Sequence, residues 1–514
     1  MNLAHDLERR AAEDADRTAL IFEDQPGLSF AALDARASRL GGALARLGVT
    51  DGAQLALFLQ NGPDLVCCLY GLWKTGGVPI TLSPLYGAAE LSRSLAKTQP
   101  FAIVTDAEGL ATVQAADVKI TAAAVGTSNV PDGVVDLETM AAACAPELPA
   151  PALASSRDAV VLFTGGTSGA PKAVAMTHGG TYDTMARLAR AAKGGKPGPY
   201  PIAPETTPPN LVPLPLFHSG GQQALLFAFH VGRSVVLMKK FSAERAAALV
   251  TKHRIDNLFL LPTMLYDLAE LPGEPDLDSV RSVLVAGGEV SAALRARFEQ
   301  RFGIPLLSNY GSTEMGHVAG WTAGDVKSGA WVPGSAGRVY DGVEVSIRDD
   351  AGNALPAGET GEICVRSNVS SGYVDGGSEH LIDADGCMHS GDIGYLDEDG
   401  VLFLIGRKRE MIKCGGFQVW PMELEEELRR HPAVADLAVV GAPDDRLGEI
   451  PKAFVVLCRE AGKPAELEQD LLEFSRQKLA KYKAVRALAF VAELPRTAAG
   501  KVDRHALRSM AVNG

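Results

Sequence analysis

The chain lacks a long greasy run. Its most apolar stretch, Ala224–Met238, is broken by His230 and Arg233, and nothing approaches 18 uninterrupted apolar residues, so no membrane-spanning helix is expected. The N-terminus, M-N-L-A-H-D-L-E-R-R, has no apolar run after its charges and is not expected to be a secretory signal. No C-x-x-C occurs, and the seven cysteines (Cys67, Cys68, Cys144, Cys364, Cys387, Cys414 and Cys458) are odd in number. That excludes a disulfide framework and a zinc ribbon, and fits reduced thiols in the cytoplasm. Positive charge is also short: the net charge is −13 and the pI about 5.3, against a nucleic-acid or anionic-membrane surface. A nucleotide substrate would need its cations gathered in a few site residues. No internal repeat or low-complexity tail is present.

What is there reads as two to four domains, from 514 residues at roughly 100–200 per domain. Strand-like runs at Gln54–Gln60, Val78–Leu82 and Phe101–Thr105 alternate with helical spacing at Pro63–Lys74 and Gly87–Lys97. This predicts βαβ units and a largely parallel sheet. Residues 193–210 are Gly/Pro-rich and predict a loop. The alternation resumes with strands at Val235–Met238, Asn257–Leu261 and Ser282–Ala286, and helices at Glu244–His253 and Ala292–Phe302. From about Gly334, short strands such as Val343–Arg348 and Gly361–Arg366 are punctuated by Gly/Asp turns, predicting a β-rich unit. After Arg407 a smaller pattern begins. Pro421–His431 and Leu467–Leu479 are helical, and Val434–Val440, Ala453–Cys458 and Val485–Ala492 strand-like. The expected fold class is α/β. A large domain, 1–407, divides near 1–155, 156–333 and a β-barrel-like 334–407; a small mobile α+β domain, 408–514, follows.

The strongest local signal is V-V-L-F-T-G-G-T-S-G-A-P-K at Val160–Lys172. A strand enters a loop of Gly, Thr and Ser closed by Lys172. Glycines let backbone N–H groups approach a polyphosphate, hydroxyls add donors and the lysine neutralises charge. The loop does not fit G-x-x-x-x-G-K-[ST], so it is no ordinary P-loop.

This segment resembles the phosphate-binding signature of the adenylate-forming superfamily: acyl-CoA synthetases, luciferases and peptide-synthetase adenylation domains. The departures are Gly165 where Ser is usual, Ser168 for Thr and Ala173 for Gly. Six more resembling motifs follow in order: L-P-L-F-H-S-G-G (Leu214–Gly221), V-A-G-G-E (Val285–Glu289), N-Y-G-S-T-E-M-G (Asn309–Gly316), H-S-G-D-I-G (His389–Gly394), G-R-K-R-E-M-I-K-C-G-G-F-Q-V (Gly406–Val419) and P-R-T-A-A-G-K-V-D-R (Pro495–Arg504).

The resemblance implies ATP, Mg²⁺ and coenzyme A as cofactors, and formation of an acyl-adenylate followed by transfer to a thiol. The nucleotide set is Thr164, Gly165, Gly166, Thr167, Ser168, Gly169, Lys172, Gly287, Gly288, Glu289, Asn309, Tyr310, Gly311, Ser312, Asp392 and Arg407. Tyr310 would stack on adenine, Asp392 and Arg407 would hold ribose, and Thr313 would offer a hydroxyl to the AMP phosphate. Glu314 would ligate Mg²⁺. Lys501 would bridge the attacking carboxylate and the α-phosphate. His218 would gate the acyl pocket, expected around His218, Ser219, Gly220, Gly221, Met315, Gly316 and His317. Small residues at Ser219, Gly220 and Gly221 would leave room for an aromatic or medium-to-long acid. Arg409 stands at the hinge, where Asp or Lys is usual, and Lys413, Gly415, Gly416 and Phe417 would face the thiol tunnel. The motifs leave the oligomeric state open, a homodimer included. An adenylation enzyme serving a separate carrier protein, a luciferase-like oxidase and a silent nucleotide-binding regulator share these motifs. The chain has no G-G-x-S carrier attachment site, and His218 stands where amino-acid-activating relatives usually place Asp.

Overall fold

The computed structural model describes all residues except 117–119, 128–129, 165–171, 193–202, 205, 289, 291, 375, 377–381, 384, 459–463, 498–500 and 514; the side chains of 464–466 and 513 are also left aside.

The first large sheet has eight strands in the order Ser370–Tyr373, Lys172–Thr177, Asp158–Thr164, Val78–Thr81, Gln54–Phe58, Ala102–Thr105, Thr121–Ala124 and Val135–Asp136. From Asp158–Thr164 to Val135–Asp136 all neighbours are parallel, as the βαβ pattern predicts. Its central helix, Pro63–Thr75, starts with Pro at its first turn and ends at Gly76 in the left-handed region (φ 76°). Leu65 to Lys74 is a continuous buried run, which explains why Cys67 and Cys68 are core residues without a partner.

The sheet crosses the boundary expected near 155, because Asp158–Thr164 pairs with Val78–Thr81. Its edge is closed by Ser370–Tyr373, a strand from the β-rich stretch laid antiparallel on Lys172–Thr177. Hydrogen bonding between strands ignores sequence distance, so a local change of texture cannot mark where a sheet ends.

The second large sheet has nine strands. Asn257–Leu260, Ser282–Val285 and Leu306–Ser312 are parallel; Gly316–Gly320, Gly337–Val339, Val401–Arg407, Cys387–Leu396, Gly361–Arg366 and Glu344–Arg348 continue it antiparallel. The β-rich unit is thus an extension of the second α/β sheet. A four-stranded sheet joins Thr18–Phe22 and Leu28–Ser29 to Asn210–Val212 and Val235–Leu237.

The small C-terminal domain has its own sheet: Phe417–Val419, Ile412–Cys414, Gly448–Leu457 and Val434–Asp444, with Ala487–Phe490 parallel to Gly448–Leu457. Its core packs Leu424, Leu428, Val439, Val455 and Leu471, and the last helix, Arg504–Asn513, buries Leu507. Among the described residues, no helix is long and apolar enough to cross a membrane.

Candidate active site

The site is built on two hairpins of the nine-stranded sheet. In the first, antiparallel register sets Asp392 opposite Arg407, with Nε 3.1 Å from Oδ1. The Tyr310 hydroxyl donates to the other carboxylate oxygen at 2.8 Å, and the Ser390 hydroxyl accepts from the Asp392 amide at 2.9 Å. Both Tyr310 and Asp392 are only 8% exposed. Burial, then the Asp392 charge, pushes the Tyr310 phenol well above its ordinary range, so it stays a donor at any working pH. The ring alone was legible in the sequence; its hydroxyl is a second tool that orients the expected ribose carboxylate.

The second hairpin joins Leu306–Ser312 to Gly316–Gly320 through Thr313, Glu314 and Met315. A Cβ on Gly311 would lie 2.0 Å from the Gly316 carbonyl oxygen, and Gly316 itself has φ 70°, so this reversal admits glycine at both positions. Ser312 Oγ accepts from the Met315 amide at 3.2 Å, and Met315 is buried. Thr313 Oγ1 meets Ser219 Oγ at 3.1 Å, which ties the expected phosphate hydroxyl to the start of the helix Ser219–His230.

His218 caps that helix, its ring 4.5 Å from that of Phe217. Its Nε2 is buried without a hydrogen-bond partner. Burial, then the Lys501 charge, lowers its pKa to about 4, so the imidazole is neutral near pH 7. The loop carrying it is held from below by Asn61, which accepts from the Leu216 amide (2.8 Å) and donates to the Leu214 and Met238 carbonyls (3.1 Å each). Gln222 donates to the Leu216 carbonyl at 2.8 Å and to Thr81 Oγ1 at 3.2 Å. Both amides are buried. Asn61 lies 155 residues from Leu216 and carried no sequence signal.

Of the three small residues expected to open the acyl pocket, Gly221 is used otherwise. A Cβ there would sit 2.1 Å from the Pro215 carbonyl oxygen, so its smallness serves backbone packing. Gly220 has only ordinary contacts to Leu214 and Phe259, which leaves Ser219 and Gly220 as the open positions. His317 is buried, with Nδ1 2.5 Å from the Asn309 amide nitrogen, while Asn309 Oδ1 accepts from the Tyr340 hydroxyl at 3.0 Å. The Asn309 side chain is therefore spent on His317 and Tyr340. Burial, then Arg187, lowers the His317 pKa to about 4.

Thr164 and Lys172 pair across the neck of the phosphate loop, and Lys172 Nζ sits 4.4 Å from the Tyr373 ring centroid. Gly165, Gly166, Thr167, Ser168 and Gly169 lie outside the described residues, as does Glu289. Gly287 (φ 82°) and Gly288 pack tightly on Leu261 and Pro262.

Lys501 comes from the other domain. Its loop is closed by Thr497 N–H to the Lys501 carbonyl (2.8 Å) and Asp503 N–H to the Pro495 carbonyl (2.7 Å). The residue is exposed to water, yet many protein atoms lie around its ammonium group. Burial, then Arg407, lowers its pKa below the ordinary lysine value; Glu314 and Asp392 pull it back up. Arg409 likewise is lowered by burial and Arg407, and lies within reach of the charges of Asp392 and Tyr373. Arg407, Arg409 and Lys501 thus lie about Asp392, with Glu314 also in reach of Lys501, and Lys172 sits over Tyr373. In a chain of net charge −13, these four cations make the site a setting for a polyanion.

Among the described residues, no group of three His, Cys, Asp or Glu could hold a metal. Glu314 supplies one hard oxygen, which suits an ion carried mainly by substrate phosphates and water.

The expected hinge has anchors on both sides. Lys408 pairs with Asp350 (3.0 Å) and Glu362 (3.1 Å) of the large domain, whereas Glu410 pairs with Arg504 (3.1 Å) of the small one. Arg409 stands between them. Lys413 donates its amide to Glu449 at 3.0 Å, and Gly415 (φ 59°) and Gly416 (φ 85°) turn the chain towards Phe417, whose exposed ring stacks on Tyr482 at 4.6 Å. Among the described residues, no hydrogen bond, ion pair or ring contact links this turn to Asp392, Glu314 or His218. The structure brings the Lys501 loop to the site and leaves the expected thiol-tunnel turn outside it.

Against known proteins, the AMP-binding enzyme family model matches residues 7–374, and that of the AMP-binding enzyme C-terminal domain matches 423–501. The chain is 31% identical over 518 aligned residues to 4-coumarate–CoA ligase 5 of Oryza sativa subsp. japonica, covering 98% of this chain and 94% of that one. Among solved structures it resembles the anthranilate CoA ligase AuaEII in complex with anthranoyl-AMP (TM-score 0.89, 26% identity, 99% and 97% covered). It also resembles a benzoate CoA ligase from Burkholderia xenovorans LB400 (TM-score 0.86, 27% identity, 99% and 100% covered). With both halves of its architecture matched, the chain belongs to the AMP-binding enzyme family, within the adenylate-forming superfamily.

Proposed function

We propose that the chain is an AMP-forming acid–CoA ligase that activates an aromatic carboxylic acid with ATP and passes the acyl group to coenzyme A. The observation that carries this is Lys501 of the small domain within electrostatic reach of Glu314, Asp392, Arg407 and His218 of the large one. The three relatives described above are named for 4-coumarate, anthranilate and benzoate, all aromatic acids. Gly220, whose nearest side chains are Leu214 and Phe259, gives this chain an apolar approach suited to a ring.

In the first half-reaction Asp392, oriented by Tyr310 and Arg407, accepts from the ribose hydroxyls. Lys172 and Arg409 face the phosphates, and Glu314 is the residue that would hold Mg²⁺, which when bound neutralises phosphate charge. The acid carboxylate attacks the α-phosphorus; the bond to the β-phosphate bridging oxygen breaks and pyrophosphate leaves. Lys501 donates to both the attacking carboxylate and the α-phosphate, so two anions meet around one cation. The small domain then turns at Arg409, Lys501 withdraws and the Gly415–Phe417 turn faces the cleft. The coenzyme A thiol, losing its proton, attacks the acyl carbon, and AMP leaves. His218, neutral and with a free Nε2, lies between acid and thiol. We place the enzyme in the cytoplasm, where its unpaired cysteines stay reduced.

Pyrophosphate release over a panel of aromatic and aliphatic acids, with and without coenzyme A, tests the reading. Lys501→Ala is expected to lower adenylate formation on the order of 10²–10³-fold, the cost of removing one preorganised transition-state donor, while sparing thioester formation from supplied acyl-adenylate. Equal loss of both halves contradicts the role given to Lys501.

A further inference from the structure

The strand that carries Asp392 is irregular just where it does so. Its neighbour Gly361–Arg366 pairs Glu362 with Ile393 and Cys364 with His389. Between those pairs the neighbour has Ile363, whereas the strand Cys387–Leu396 has Ser390, Gly391 and Asp392. Gly391 passes through the left-handed region (φ 70°). Such a bulge leaves backbone groups without ladder partners on that side, and here side chains take them up. The Asp392 amide donates to Ser390 Oγ at 2.9 Å, and the Gly391 amide donates to Glu362 Oε1 at 3.2 Å.

The Glu362 carboxylate is itself fixed. Its side chain is only 11% exposed, and Oε2 accepts from Lys408 Nζ at 3.1 Å and lies 3.3 Å from His389 Nδ1. Lys408 directly follows Arg407, and His389 directly precedes the bulge. One carboxylate thus joins the extra residues beside Asp392 to the stretch that carries Arg407. Tyr310 and Arg407 hold the Asp392 carboxylate, whereas Glu362 holds the backbone that delivers it.

We propose that Glu362 is a positioning residue of the nucleotide site: by accepting from the Gly391 amide it sets the turn that aims Asp392 at the ribose hydroxyls. This rests on the ribose role given to Asp392 above. A carboxylate held in advance by its own partners orders the turn before the nucleotide arrives, so binding does not have to.

Two conservative variants of the full-length enzyme separate the acceptor from the charge. Glu362→Asp keeps the charge but draws the carboxylate back by one methylene; the flexible Lys408 can follow it, and the Gly391 amide cannot. Glu362→Gln keeps an acceptor for Gly391 and loses the charge. Titration calorimetry with MgATP should show Glu362→Asp weakened roughly five- to tenfold, the range of one charge-assisted hydrogen bond. Glu362→Gln should stay within about threefold of wild type, because an ion pair to the exposed Lys408 is worth little. With 2′,3′-dideoxyATP, which offers Asp392 no hydroxyls, Glu362→Asp should match wild type. The reverse order of the two variants, no loss in Glu362→Asp, or equal loss towards both nucleotides overturns the proposal. Wild type that binds ATP and the dideoxy analogue alike overturns the ribose reading beneath it, a failure distinct from a wrong order of variants.

Discussion

Tyr310→Phe isolates one hydroxyl in the nucleotide site. The ring, and any stacking on adenine, is kept; only the 2.8 Å donor to Asp392 Oδ2 is lost. Asp392 retains Arg407 on its other oxygen but is less fixed. A hydrogen bond to a buried charged group is worth about 1.5–3 kcal/mol, and 1.4 kcal/mol is about tenfold in binding. Part of that loss is recovered if water reaches the freed oxygen, so KM for ATP should rise about tenfold while kcat changes little. The decisive comparison uses 2′,3′-dideoxyATP, which has no ribose hydroxyls to offer Asp392. Wild type should bind it poorly, and Tyr310→Phe should add almost no further penalty, so the two changes are strongly non-additive. If Tyr310→Phe weakens ATP and the dideoxy analogue equally, the hydroxyl does not act through Asp392 and the ribose assignment is wrong.

The lowered Lys501 pKa predicts where adenylation fails at high pH. Lys501 must be charged to bridge two anions, so its activity limb should fall below the ordinary lysine range, and Lys501→Arg, if active, should move that limb upward; identical limbs would refute the assignment. Burial also sets acid stability. His178, His218 and His317 titrate at about 4 in the fold against 6.5 when free. Between those values the unfolded chain takes up protons that the fold refuses, so stability is full above 6.5 and declines as pH falls towards 4. Each ring contributes up to about 3 kcal/mol, and urea midpoints at pH 7 and 4.5 should differ less in His178→Gln than in wild type.

Much of the site was legible because its motifs are local. Glycines at 311 and 316 mark a reversal that side chains would block, and the polar residues between them advertise a site at the end of a strand. The expected roles of Asp392, Arg407 and Lys501 came from the family resemblance of their motifs, since each alone would read as an ordinary surface charge. The alternation of apolar runs likewise gave the α/β class and the separate small domain. The subdivision of the large domain was not legible, since backbone pairing joined Asp158–Thr164 to Val78–Thr81 and Ser370–Tyr373 to Lys172–Thr177.

Short-range pattern thus determined which residues form strands and turns, because φ/ψ preference and hydrophobic period act within a few residues. Only the tertiary structure decided which of them work together. Asn61 props the His218 loop, Tyr310 steers Asp392, Gly221 is consumed by Pro215, and Glu362 grips the Gly391 amide. Except for Gly221, these contacts join residues tens of positions apart or more, and such hydrogen bonds depend on how elements pack, which no local stretch of sequence records.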